Sequence, residues 1–408
     1  MKRPFRLEVG CHLSYWNEFD RTARAGLAAV ARIAAVALVS LAAALSSATA
    51  AASEAQLVYV GTYTDKDSRG IYRLRFDDAS GRLTPDGVAA ETESPSFLAA
   101  NAEGRLLFAV NETSRFEGAP SGGVSAYALD PATGALTLRN RQASGGTSPC
   151  HLTLDRRERF LLVANYGGSA AVLPVAADGR LSPAVSRVDP KGRGPNARQE
   201  GSHAHGVYLD RADRRLLVPD LGLDQVLVYR FDDERGSLAP SDPPHASLAP
   251  GAGPRHLALS PDGRLVHSVN ELDSTVTTFS YDEGTGRLDR RGTVSTLPPD
   301  FEGESYTAEI AVHPNGRFVY ASNRGHDSIA VFGATGDTLT RQAVVPAGGR
   351  RPRHFAIAPS GRWLLVAHQD SGTIAVFRLD PATGALAPAG EPVPVPRPVC
   401  ILFVPSRG

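Results

Sequence analysis

Six times along this chain a short apolar strand runs into a polar loop and returns as a second apolar strand with a polar end, and a seventh first strand stands near the C-terminus. The copies read SPSFLAANAEGRLLFAVNE (94–112), SPCHLTLDRRERFLLVANY (148–166), SHAHGVYLDRADRRLLVPDLG (202–222) and GPRHLALSPDGRLVHSVNE (253–271). They continue as TAEIAVHPNGRFVYASNRG (307–325) and RPRHFAIAPSGRWLLVAHQD (351–370), and PRPVCILFVP (396–405) supplies a first strand alone. First-strand anchors at Leu98, Leu152, Val207, Leu257, Ile310, Phe355 and Ile401 recur roughly every fifty residues. A turn ending in Gly-x-Leu or a near variant recurs with the same count, from DDASGRL (77–83) to DPATGAL (380–386). Asp and Gly there supply the side-chain acceptor and positive φ that a tight hairpin needs.

Four short strands per unit, separated by turn signals, describe a β-propeller blade. One blade cannot bury both of its faces, so the copies must stack in a ring. The ring's closure is also legible. LVYVGTY (57–63) and GIYRLRF (70–76) begin a blade that lacks an inner strand, while the strand around Cys400–Val404 is an inner one lacking outer partners. Joining them completes a seventh blade and hides an exposed sheet edge. The expectation is an all-β, seven-bladed propeller over residues 51–408, closed by the C-terminal inner strand on the N-terminal outer strands. No Gly-His/Trp-Asp or double-Gly signature recurs, which disfavours the WD40 and kelch variants.

The 43 basic and 43 acidic residues cancel, so no net field points to nucleic acid. With 40 glycines and 30 prolines the chain is turn-rich without reaching a disordered composition. Residues 1–50 are different material. Arg21, Arg24 and Arg32 precede an apolar run over 33–45, and Ala48-Thr49-Ala50 follows. That is the pattern of a secretory signal peptide cleaved near Ala50. The run is shorter than the ~20 residues of a membrane span. A periplasmic or secreted monomer with no stable membrane span after cleavage is expected. Export permits disulfides, but Cys150 and Cys400 fall on inner strands two blades apart, beyond the ~7 Å Cα limit for a bridge. Both are expected as free, buried thiols.

Propeller topology turns sequence columns into positions. The start of each inner strand and the end of the next strand must open on one face. Strand starts hold Ser96, Cys150, His205, Arg255, Ala308, Arg353 and Val399, followed by Phe97, His151, Gly206, His256, Glu309, His354 and Cys400. Second-strand ends hold Thr62, Asn111, Asn165, Asp220, Asn270, Asn323 and His368, followed by Tyr63, Glu112, Tyr166, Leu221, Glu271, Arg324 and Gln369. Arginines, histidines and carboxylates therefore converge at one channel mouth. The recurring Asn reads first as a turn cap. Residues that break the repeat are the better candidates: His203, His205, Arg255, Glu271, Glu309, Arg324 and Arg353, with His354 and Asn165 as further contacts. Guanidinium groups beside neutral imidazoles suit an anionic, oxygen-rich ligand, and a carboxylate among them can activate water. No phosphate loop, G-x-S-x-G elbow or Ser/His/Asp spacing is present. His203 and His205, one residue apart, suit a metal poorly, so neither metal nor cofactor is expected.

These motifs resemble the seven-bladed lactonase family, whose members include cycloisomerase-type 6-phosphogluconolactonase and the fungal carboxy-muconate lactonizing enzyme. The resemblance covers nearly all of residues 56–405. It implies an active-site set of one His, two Arg and one Glu, which fall motif by motif on His205 of SHAHG, Arg255 of GPRH, Glu271 of HSVNE and Arg324 of NRGH. The implied activity is opening of an anionic or sugar lactone. Arg255 and Arg324 would then bind the substrate anion and oxyanion, with Glu271 as general base and His205 as proton donor or orienter. Two alternatives stay open: a propeller that binds a ligand or partner without turnover, and a lactonizing cycloisomerase running the same groups in reverse.

Overall fold

A computed structural model describes residues 55–404, and every regular element among them is a strand. The signal-peptide reading of residues 1–50 lies outside the described residues. The strands form seven antiparallel sheets; six have four strands, and the sheet that begins at Pro352 gains a fifth segment, Val393–Pro394. Closure is as the sequence indicates. Pro398–Phe403 pairs antiparallel with Gln56–Thr62, placing Ile401 opposite Val60 and Phe403 opposite Val58.

Burial explains why the blades need one another. Val60, Phe76, Leu365, Ile374 and Ile401, drawn from the closing blade and its neighbour, form one fully packed cluster with Trp363. Phe108, Val110, Leu152, Leu161 and Val163 do the same at another junction. Each such side chain contributes about 1.5–3 kcal/mol when removed from water. The Gly-x-Leu turns serve these junctions directly. Gly384 has φ +75°, and a Cβ there would stand 2.4 Å from the ring of Phe318 in the preceding blade. Gly236 meets Phe160 in the same way, so the turn needs glycine for conformation and for close approach.

Two departures from the expected blades matter for the site. The SHAH segment is not regular strand: the inner strand of that blade shrinks to Tyr208–Leu209, with one isolated bridge from Ala204 to Asp220. The inner strands also carry bulges at their mouth ends. Register skips Cys150, Arg255, Arg353 and Val399 in four blades, and both Ala308 and Glu309 in another. Bulges re-aim side chains and end regular pairing. Here they fall on the column that reaches the mouth. Cys150 and Cys400 are buried and unpaired.

Candidate active site

The bulge at Arg255 turns its guanidinium toward the end of the neighbouring strand, where Glu271 sits. Arg255 Nε donates to Glu271 Oε2 at 3.0 Å, and Arg324 Nη2 reaches the same oxygen at 2.8 Å. Arg198 Nη2 donates to Oε1 at 2.6 Å. Glu271, Arg255 and Arg324 are each at most 5% exposed. Burial alone would raise the Glu271 pKa; Arg324, Arg255 and Arg198 outweigh it and hold the carboxyl well below the usual carboxylate range. Arg255 Nη1 and Arg324 Nη2 also donate to the carbonyls of Ala308 and Thr307, which fixes both planes.

Arg198 stands outside every repeat column, and the sequence reading missed it. It lies in the irregular segment after the strand Ser186–Val188, just ahead of SHAH, and its guanidinium covers the ring of Tyr306 at 5.4 Å. The segment is held by Gln199, whose Nε2 donates to the Leu221 carbonyl at 2.8 Å and to Asp224 Oδ1 at 2.7 Å. A long, basic, Gly/Pro-punctuated connection on the mouth face was the available signal.

Below the arginines lies a layer of aromatic and imidazole rings. His256 Nδ1 stands 3.0 Å from Glu309 Oε2, and His354 Nε2 reaches the same oxygen at 3.3 Å. His151 and His205 lie 5.2 and 5.3 Å from the His256 ring centre. His354 Nδ1 accepts from the Ile401 amide and His151 Nδ1 from the Val207 amide, which sets both tautomers. Burial, reinforced by nearby Arg255, pulls His205 and His256 well below the ordinary histidine value, and burial with neighbouring His256 does so for His151. Burial pushes Glu309 up. Burial thus disfavours charge on these imidazoles.

The remaining candidates divide. Arg353 sits at the opposite wall of the mouth, its Nη2 donating to Tyr63 Oη at 2.7 Å. His203 is on the rim, stacked on Tyr166 at 4.4 Å with Nδ1 donating to the Tyr166 carbonyl at 2.8 Å. His205 lies deeper, with Nδ1 3.8 Å from Cys150 Sγ. Asn165 is not brought to the mouth. It is fully buried in its own blade, donating to Ser169 Oγ at 3.1 Å and to the Ser144 carbonyl at 3.3 Å. Its equivalents Asn111, Asn270 and Asn323 make similar internal clamps. A cavity of about 440 Å³ opens beside Arg324, bordered by Lys66, Tyr306 and Arg350. That is within the ~300–1,000 Å³ range of small-molecule sites.

The family model for "Lactonase, 7-bladed beta-propeller" matches residues 57–403. The chain belongs to the seven-bladed β-propeller lactonase family. This lactonase is 36% identical over 349 residues to a 6-phosphogluconolactonase of Bacillus subtilis, covering 85% of this chain and 97% of that one. It is 30% identical to a 6-phosphogluconolactonase of Formosa agariphila, covering 81% of this chain and 94% of that protein. The solved periplasmic gluconolactonase of Pseudomonas aeruginosa superposes with a TM-score of 0.81 at 35% identity, covering 86% of this chain and 99% of that one.

Proposed function

We propose that this lactonase hydrolyses a sugar lactone at the channel mouth, and that the exported chain meets the unphosphorylated form in the periplasm. One observation carries the reading: three arginines from separate segments gather around the single buried carboxylate of Glu271, beside an open cavity. Three guanidiniums against one carboxylate leave a positive site, suited to the oxyanion of a tetrahedral intermediate. Arg255 and Arg324 hold the lactone oxygens in this account, and Arg198 closes over them from its loop. Glu271 is a positioning residue rather than the base. A carboxylate held by three arginines has little proton affinity near neutral pH and cannot readily deprotonate water. The leader pattern of residues 1–50 and the likeness to a periplasmic gluconolactonase support the choice of substrate form.

The test is proton release by residues 51–408 with an unphosphorylated aldonolactone and its 6-phosphate, each compared with the spontaneous rate. The expected result is acceleration of both, with the larger kcat/KM on the unphosphorylated lactone. Acceleration of the phosphorylated form alone would overturn the substrate assignment, and acceleration of neither would overturn the activity.

A further inference from the structure

The repeat places a second glutamate at the mouth. Glu112 ends FAVNE as Glu271 ends HSVNE, so the two occupy one column in different blades. Their surroundings are opposite. Glu271 is clasped by three arginines, whereas Glu112 Oε2 accepts one hydrogen bond, from Tyr63 Oη at 2.9 Å. Tyr63 in turn accepts from Arg353 Nη2 at 2.7 Å, a fixed donor order from guanidinium through phenol to carboxylate. Among the described residues, neither Glu112 nor Arg353 forms a salt bridge with a side chain of opposite charge, while Arg198, Arg255 and Arg324 all do. In ring order, Arg353, Tyr63 and Glu112 come from three successive blades, facing the Glu271 cluster across the channel.

Between the two clusters lies a small cavity of about 10 Å³, lined by Ser96, Glu112, Arg255 and Arg353 together with apolar Phe97 and Val399. That is about the least space that holds one water. Ser96 is 5% exposed, and its Oγ is buried without a hydrogen-bond partner. A buried hydroxyl left unpaired costs roughly 1–3 kcal/mol, so this one points to a bound water. Cys150 also lines the cavity, but burial pushes its thiol up and keeps it protonated. The histidines below are committed: both nitrogens of His354 are engaged, and those of His256 face Glu309 and Arg255.

We propose that this cavity holds the hydrolytic water, with Glu112 as its general base and Arg353 as a ligand of the developing oxyanion. The assignment rests on the lactone-hydrolysis reading. Glu112 takes a proton from the water as the water oxygen bonds to the lactone carbonyl carbon. The carbonyl electron pair moves onto oxygen, which Arg353 and Arg255 receive. Collapse of the intermediate breaks the ring C–O bond, and the departing ring oxygen recovers the proton from Glu112. The products are one hydroxy acid and an unchanged enzyme.

Glu112→Gln keeps the shape of the side chain and an acceptor for Tyr63. Its kcat on an aldonolactone is expected to fall by about 10²–10⁴-fold, with KM within about threefold, since loss of the base touches the barrier more than binding. The acid limb of the kcat–pH profile should vanish with it. Glu112→Asp should retain that limb at reduced kcat, and it serves as the test should the glutamine variant fail to fold. Wild-type hydrolysis together with full kcat in either variant would overturn the assignment and leave the lactonase reading standing. Loss of kcat in Glu112→Gln with the acid limb intact would reduce Glu112 to a structural role. Absence of wild-type hydrolysis would fail the activity itself, and the assignment with it.

Discussion

Glu271→Gln is expected to lower the unfolding free energy by about 3–5 kcal/mol, the cost of removing one partner from a buried ion cluster. The substitution is nearly isosteric, so the loss comes from charge. Arg198, Arg255 and Arg324 would face a neutral amide with one acceptor oxygen in place of the charged carboxylate, both of whose oxygens they now engage. KM should rise along with the instability, because the same carboxylate sets both guanidinium planes. The sign of the pH dependence follows from the depressed Glu271 pKa. Its stabilisation is complete above the ordinary carboxylate value and is lost as pH falls below that value. Urea unfolding of wild type and variant at neutral pH measures the difference. A change under about 1 kcal/mol would mean that the arginines are neutralised elsewhere.

Acid should destabilise the fold as the unfolded chain's histidines take up protons that the buried ones refuse. Burial lowers the pKa of His354 to about 4, with Glu309 opposing and His256, Arg255 and Arg353 reinforcing it, and burial lowers His267 to about 4 as well. His151, His205 and His256 are displaced in the same direction. In the unfolded chain these groups bind protons near pH 6.5. Between about pH 6.5 and 4 the unfolded state therefore holds more protons, and stability falls as pH falls, by about 1.4 kcal/mol per unit of displacement for each group. Glu309, Asp213, Asp220 and Asp273 work the other way, since burial raises their pKa values, Asp273 to about 6, and they offset part of the loss from the five histidines. Denaturant midpoints measured from pH 7 to pH 5 should drop steadily. A flat profile over that range would show that the channel imidazoles are solvated and titrate normally.

The fold was legible because a propeller must spell out each inner strand separately, so the copies and the lone C-terminal strand declared both count and closure. The mouth was legible for a topological reason: residues aligned in the repeat are aligned in space. Topology alone therefore brings Arg255, Glu271 and Arg324 to one mouth. The limits have equally physical causes. Glu112 and Glu271 sit in identical Asn-Glu pairs, and what separates them comes from other blades: Tyr63 and Arg353 on one side, three arginines on the other. No local pattern reports such partners. Arg198 acts from an irregular segment with no counterpart in the repeat. Asn165 shares its column with three other asparagines, and like them it donates within its own blade, to Ser169 Oγ and the Ser144 carbonyl. The bulges that aim Arg255 and Arg353 follow Pro254 and Pro352, and their single-residue register shifts cannot be read from apolar alternation alone.

The central claim is that lactone chemistry takes place among these arginines, and Arg255→Lys tests it most directly. Lysine keeps a positive charge beside Glu271, so the fold is retained, but it loses the planar donor pair that a lactone oxygen and Glu271 require together. The kcat/KM for aldonolactone hydrolysis should fall by about 10²–10³-fold, the usual cost of one missing oxyanion donor. A kcat/KM within twofold of wild type would place the chemistry elsewhere on the propeller.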